Sequence, residues 1–476
     1  MAHRFLFLLF TGAALLVAGC SREEKITTRS PEALRFYQEG VGLWEKFYYR
    51  EAKESFSRAI ASDSNFALAW GRLALVYMRV GDEKAAEAAG KRALDLSQAT
   101  TPRERLLVRL WLHWARSEGK AGLATSDTLV RQYPDEKEVY LFRGFLFETV
   151  GDVKSAISAY RTAIEKDSTY AIAVMSLGYA YSYIGDQDQA IACMQRYIRL
   201  APEAADPRAS YGDLLLWVGR YDDALDQYRT SLEIKPDYWY AFQRIGEIYA
   251  MLGRLRDARE QILKAVTFLP RDRRSDADLM ITDGRLEIAR GHYEKALELL
   301  RKAEVADTSY QGWRYSAALA QIKLRRFADA ERNLEYLYQT ILRKNLDNSP
   351  TTVDYDLLRS RLLAEEGSYA DALAAGEKAL NRATRYNRGV IFSRIAEIYL
   401  KQGQYESALD ACGEALSVNP NLPSGLLVLT KVYHAKGDKG MTVEIGGRLL
   451  ALWKDADPDF QDLVELRRLL GRTPTV

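Results

Sequence analysis

Histidine and cysteine are the side chains best suited to nucleophilic attack, proton transfer or soft-metal binding, and this 476-residue sequence has only four of the first and three of the second. His113, His292 and His434 lie far apart, and no H-E-x-x-H, G-x-S-x-G, Walker-type or zinc-ribbon spacing occurs anywhere. A general base needs an orienting partner, and nothing nearby in the sequence supplies one. Each histidine therefore reads as structural or solvated, His292 following Gly291 in a turn. Cys20, Cys193 and Cys412 are too few and too scattered for a disulfide framework or a zinc site. Carboxylates are abundant, but pairs of them on charged helix faces carry no catalytic information. The expectation is a protein with no catalytic residue, no metal and no cofactor.

Cys20 is the exception, because of what precedes it. Met1 to Arg4 give a cationic start, Phe5 to Val17 an apolar run, and Ala18 and Gly19 a small-residue end. That is the pattern of a secretory signal, too short to span a bilayer as a mature helix. The run Leu16-Val17-Ala18-Gly19-Cys20 resembles the bacterial lipobox. The resemblance implies that residues 1–19 are removed and that the Cys20 thiol receives a diacylglycerol. It also implies that the new amino group is acylated, typically with palmitate, and that residues 20–31 form a lipidated tether. Two or more acyl chains hold a protein stably at a membrane, whereas one does not. Ser21 stands where enterobacterial-type lipoproteins kept at the inner membrane carry Asp, which implies the outer membrane, facing the periplasm.

The elements that follow are read from bulk composition and then from periodicity. Lys and Arg number 67 against 65 Asp and Glu, interspersed along the chain, so charge makes no case for nucleic acid. At 47% hydrophobic and 28% charged the chain should fold, and with 12 Pro and no linker-like tract one extended body is the simpler reading. Self-similarity decides how that body is built. Ala156, Ala190, Ala224 and Ala258 recur at intervals of 34 residues, and so do Gly151, Gly185, Gly219 and Gly253. Gly144, Gly178, Gly212 and Gly246 run in the same register. One unit, Lys137 to Tyr170, is a helix around Gly144, a turn at Gly151-Asp152 and a second helix carrying Ala156, Tyr160 and Ala163. Small residues on facing sides let two antiparallel helices approach closely, while apolar positions at helical spacing fill the space between units.

This pattern is similar to the tetratricopeptide repeat, and with the lipobox the chain resembles a bacterial tetratricopeptide-repeat lipoprotein. The resemblance implies an all-α fold, a right-handed α-solenoid of about twelve helical hairpins with a C-terminal capping helix. The columns extend outward to Phe36 and Gly40 and to Tyr433 and Gly437, with residues 102–134 degenerate. The link Lys344 to Thr352 suggests two blocks, 32–347 and 353–453, before a capping helix and tail at 454–476. Cys193 and Cys412 fall on second helices where a small apolar side chain is wanted.

In such repeats the first helices line a concave groove. In the best-defined units that face carries Leu141, Phe145, Met175, Tyr179, Tyr183, Trp217, Tyr240 and Gln243, unusually aromatic for a surface. Tyr and Trp bury much area at small entropic cost, so the groove suits an extended or helical segment of another protein. The competing reading is that several of these rings pack on the adjacent unit. The Lys and Asn pattern with which chaperone-binding relatives clamp a terminal carboxylate is absent. The function expected is a membrane-anchored protein-interaction scaffold of the bacterial cell envelope, without enzymatic activity. The alternative is an envelope enzyme or a glycan- or peptidoglycan-binding receptor on the same scaffold.

Overall fold

The computed structural model describes residues 26–268, 273–307, 312–344 and 350–471. The signal segment, Cys20, most of the tether's first half, Arg271-Asp272 and the centre of the Lys344–Thr352 link lie outside the described residues. Among the described residues there are 25 helices and no strand, so the fold is all-α as the periodicity implies.

The chain forms two compact units, the first running to Trp44 and from Tyr48 to Arg116, the second taking Glu45–Phe47 and everything from Ser117 onward. In the first unit lie α1 (Pro31–Glu45), α2 (Tyr49–Ser62), α3 (Ala67–Arg79), α4 (Glu83–Ser97) and α5 (Pro102–Ala115). The second begins with α6 (Gly119–Gln132) and continues through α7 (Lys137–Thr149), α8 (Val153–Lys166), α9 (Ala171–Ile184), α10 (Gln187–Leu200), α11 (Asp206–Trp217), α12 (Tyr221–Ile234), α13 (Trp239–Met251) and α14 (Leu255–Thr267). Then come α15 (Arg273–Ala289), α16 (Tyr293–Ala306), α17 (Trp313–Lys323), α18 (Phe327–Lys344), α19 (Pro350–Glu366) and α20 (Tyr369–Arg382). Last are α21 (Arg385–Lys401), α22 (Tyr405–Val418), α23 (Pro423–Ala435), α24 (Lys439–Leu452) and the single helix α25 (Gln461–Leu469). Taken in order these make twelve pairs and a final helix. The division at Arg116 falls within the degenerate stretch 102–134, apportioning α5 and α6 to different units.

The repeat's local chemistry is visible at each turn. Gly151 and Gly185 take left-handed φ values of +80° and +89°, open to glycine without steric cost. The aspartate that follows caps the second helix: Asp152 accepts from the Ser155 amide at 3.1 Å and Asp186 from the Gln189 amide at 3.2 Å. Phe47, Ser117 and Arg325 adopt the same backbone conformation without being glycine, with φ of 61°, 57° and 58°.

In α1–α2, α7–α8, α9–α10, α11–α12, α13–α14 and α15–α16 the glycine of the first helix faces a larger side chain sixteen residues on. A β-carbon added at Gly144 would lie 2.1 Å from the Tyr160 ring, at Gly40 2.6 Å from Phe56, at Gly212 2.9 Å from Tyr228 and at Gly246 2.7 Å from Ile262. Phe56, Tyr160 and Tyr228 are completely enclosed. Gly144→Ala should therefore destabilise the fold by about 1–3 kcal/mol, since the overpacking cost exceeds the roughly 1 kcal/mol that alanine gains in helix propensity. Denaturant unfolding measures this, and an unchanged midpoint would remove the close contact as the organising feature.

Candidate partner-binding face

The candidate residues sit on four successive first helices of the second unit: Leu141 and Phe145 on α7, Met175, Tyr179 and Tyr183 on α9, Trp217 on α11, and Tyr240 and Gln243 on α13. Leu141 and Met175 do not belong to a surface. Leu141 is 0% exposed and Met175 7%, because α7 and α9 are covered on more than one side and their apolar stripes are wider than one contact requires. Phe145, Tyr179, Tyr183, Trp217 and Tyr240 are half-buried, and Gln243 is exposed. Phe145 stands edge-on to Phe142 and Tyr160, 5.6 and 5.8 Å away between ring centres.

Asp213 holds two of these rings, Tyr179 and Tyr240, and Asp206 anchors the neighbouring Tyr197 and Tyr238. Asp206 and Asp213 lie seven residues apart on α11, two turns along one face, and are buried at 7% and 3% exposure. Asp213 accepts hydrogen bonds from the hydroxyls of Tyr228 at 2.6 Å, Tyr240 at 2.7 Å and Tyr179 at 3.1 Å, and pairs with Arg244 Nε at 2.9 Å. Arg244 is also paired with Glu247, which in turn accepts from Gln243 at 3.0 Å. Asp206 accepts from Tyr238 at 2.8 Å, Tyr197 at 3.0 Å and Ser210 at 3.1 Å. Burial pushes the Asp206 carboxyl up to about 6 against the opposing effect of these donors. Burial also raises the hydroxyls of Tyr179, Tyr228, Tyr238 and Tyr240, so they remain neutral donors at physiological pH.

The face also meets a residue from far along the chain. The Tyr386 ring at the start of α21 stacks on Trp217, centres 3.7 Å apart and planes at 24°, and lies 5.8 Å from Tyr183. Its hydroxyl donates to Ser182. Asp206 stands 34 residues before Tyr240 and Asp213 34 after Tyr179, in the columns that carry the face, whereas Arg244 stands 34 after Ser210 and carried no such signal. Tyr386 carried none, since a contact spanning 200 residues has no period.

A separate concavity of about 530 Å³ is lined by Lys323, Arg361, Asp462, Glu465 and Arg468 together with Phe460. Beside it Glu397 is paired with the buried Arg394 and lies in the field of Arg361, Lys431 and Lys323, which overcome its burial and hold it well below the carboxylate range. Burial pushes the thiols of Cys193 and Cys412 up to about 11 and about 12, which keeps them protonated and unreactive. His292 Nδ1 lies 2.8 Å from Glu287 Oε2, in its turn. Among the described residues no three His, Cys, Asp or Glu side chains are grouped to hold a metal, and no helix is long and apolar enough to cross a membrane.

Comparison with known proteins agrees on the repeat. A tetratricopeptide-repeat family model matches residues 389–422, and a second model of that repeat matches 37–99, 146–205, 175–238 and 212–276. The chain therefore carries tetratricopeptide repeats, a scaffold suited to protein–protein interaction. It is similar to the Photosystem I assembly protein Ycf3 of Cyanophora paradoxa, 35% identical over 75 residues that cover 16% of this chain and 43% of that protein. Ycf3 of Synechococcus sp. (strain CC9311) is 35% identical over 96 residues, 20% of this chain and 54% of that one. The chain thus spans about half the length of the curated relatives it matches. Among solved structures, MamA is similar at 25% identity and a TM-score of 0.29, over 33% of this chain and 93% of MamA. Yeast Tom70 is similar at 12% identity and a TM-score of 0.38, over 92% and 95% of the two chains. The family models matched are those of the repeat.

Because its folded pKa of about 6 lies above the unfolded value near 4, Asp206 contributes stability that is complete at acid pH and lost as pH rises through 6. Denaturation midpoints of the natural protein should fall between pH 4 and 7 relative to Asp206→Asn, by up to about 3 kcal/mol. Two parallel pH profiles would show that Asp206 does not titrate in the buried network.

Proposed function

We propose that the chain is a scaffold of the bacterial cell envelope, anchored through acyl groups on Cys20 at the outer membrane and facing the periplasm. The face built by α7, α9, α11 and α13 receives an extended or helical segment of an envelope protein. The observation that carries this reading is the buried Asp213, whose hydrogen bonds to Tyr179, Tyr228 and Tyr240 fix aromatic side chains before any partner arrives. Rings already held in one orientation lose little freedom on binding, which is the quality interface hot spots need. The binding set is Phe145, Tyr179, Tyr183, Trp217, Tyr240 and Gln243. The protein works by holding rather than by transforming a substrate. The curated relatives are named assembly proteins, and holding a partner in place during assembly is work this face suits.

The anchor is tested by growing cells with labelled palmitate. The natural chain should incorporate label and sediment with membranes, whereas Cys20→Ser should do neither, and a labelled, membrane-bound Cys20→Ser protein would remove the anchor. The face is tested by capture of envelope proteins on the purified chain without residues 1–20. Phe145→Ala combined with Tyr179→Ala should weaken capture roughly tenfold or more, the scale of losing hot-spot residues. Unchanged capture by that double variant would move the partner to another surface.

A further inference from the structure

Within the second unit the end of the repeat array returns to its middle. Besides Tyr386 on Trp217, the Asn421 side chain donates to the Gly219 carbonyl at 3.1 Å, and the Tyr221 hydroxyl donates to the Asn421 carbonyl at 3.1 Å. Asn419 donates to the same hydroxyl at 3.2 Å. One turn row further on, the Asp457 amide donates to the Gly253 carbonyl at 2.9 Å and the Trp453 indole to the Met251 carbonyl at 3.1 Å. The approach is close enough that side chains are excluded: a β-carbon at Gly219 would meet Asn419 at 2.1 Å, and one at Gly253 would meet Phe460 at 2.4 Å.

Two features make this return a clasp that can open. Whereas the Gly253 row is held by the buried Trp453 and Phe460 and by ion pairs of Arg290 with Asp457 and Asp459, the Gly219 row is held by hydrogen bonds to backbone carbonyls and between Asn, Tyr and Ser side chains, groups that water can satisfy when they part, so each contributes only modestly to its closure. Its aromatic part is seated on residues of the partner-binding face, since Trp217 and Tyr183 are the rings that Tyr386 covers.

We propose that the first turn of α21, with Tyr386, is an internal ligand of the α9–α11 face, so that a partner segment reaches Trp217 and Tyr183 only when residues 385–389 move off. This rests on the reading of that face as a binding surface. Closure lowers apparent affinity by the fraction of molecules open at any moment, and whatever loosens the clasp raises affinity without touching the face itself.

The test uses the full chain and, as probe, a fluorescent synthetic peptide of residues 381–393. An internal ligand supplied in trans should bind Tyr386→Ala at least about tenfold more tightly than the natural chain, whose own segment competes. Asn421→Ala, which loosens the clasp away from the aromatic stack, should shift affinity the same way. Adding Trp217→Ala to Tyr386→Ala should remove binding. Equal affinity for the natural chain and both single variants, or no binding to either variant, overturns the proposal. The probe is independent of any natural partner. Peptide binding without capture of an envelope protein would defeat the partner reading and leave the internal ligand standing, while capture with no peptide effect would do the reverse.

Discussion

The best-defined hairpins, among them α1–α2, α7–α8, α11–α12 and α13–α14, rest on one steric arrangement, a glycine in the first helix against a bulky side chain sixteen residues later in the second. Gly144 against Tyr160 is the tightest case. Because the glycine contributes no β-carbon, the ring fills the space where two helix backbones come closest, and this fixes both their separation and their rotation about their own axes. With rotation fixed, the same positions of successive first helices point the same way. The aromatic face of α7 to α13 follows from that fixed rotation, and at α7 it adjoins the contact itself, Phe145 standing edge-on to Tyr160.

That rotation also explains the two aspartates of α11. A carboxylate facing the interior of a helical array is costly unless donors surround it, and the neighbouring helices supply tyrosine hydroxyls at hydrogen-bonding distance. The pair divides the electrostatic work. Asp213 has Arg244 as a counter-charge, whereas Asp206 has only neutral donors and becomes a proton-binding group near pH 6. A polar network of this kind specifies which helices meet more sharply than apolar packing does, because a shifted register would strand several donors at once.

The repeat was legible in the sequence wherever its small residues recur at fixed spacing, since each column reports a close approach that only small side chains permit. The count of about twelve hairpins followed from those columns, and the terminal helix from the apolar stripe of Leu463, Val464 and Leu466 beyond the last of them. Where the contact is made by other means the signal fades. Phe47, Ser117 and Arg325 take the left-handed turn conformation without glycine, so the glycine column lapses at those turns. Of the face itself, Phe145, Tyr179, Tyr183, Trp217, Tyr240 and Gln243 could be placed by helical phase. Leu141 and Met175 share that phase yet are core, because phase says which way a side chain points and not what lies beyond it. The approach of Tyr386, Asn419 and Asp457 to the middle of the array depends on curvature accumulated over several units, and no local pattern encodes such a sum.

Repeat proteins ordinarily change length by gaining or losing whole units, since each contacts only its neighbours. The return of α21 to α25 onto Gly219 and Gly253 removes that freedom between the two ends of the contact. An added hairpin there would carry Asn421 and Asp457 past the carbonyls they meet, and a missing one would leave them short. This stretch is therefore held at a fixed number of units, like the links of a fastened bracelet, and variation in length is confined to the hairpins that precede it.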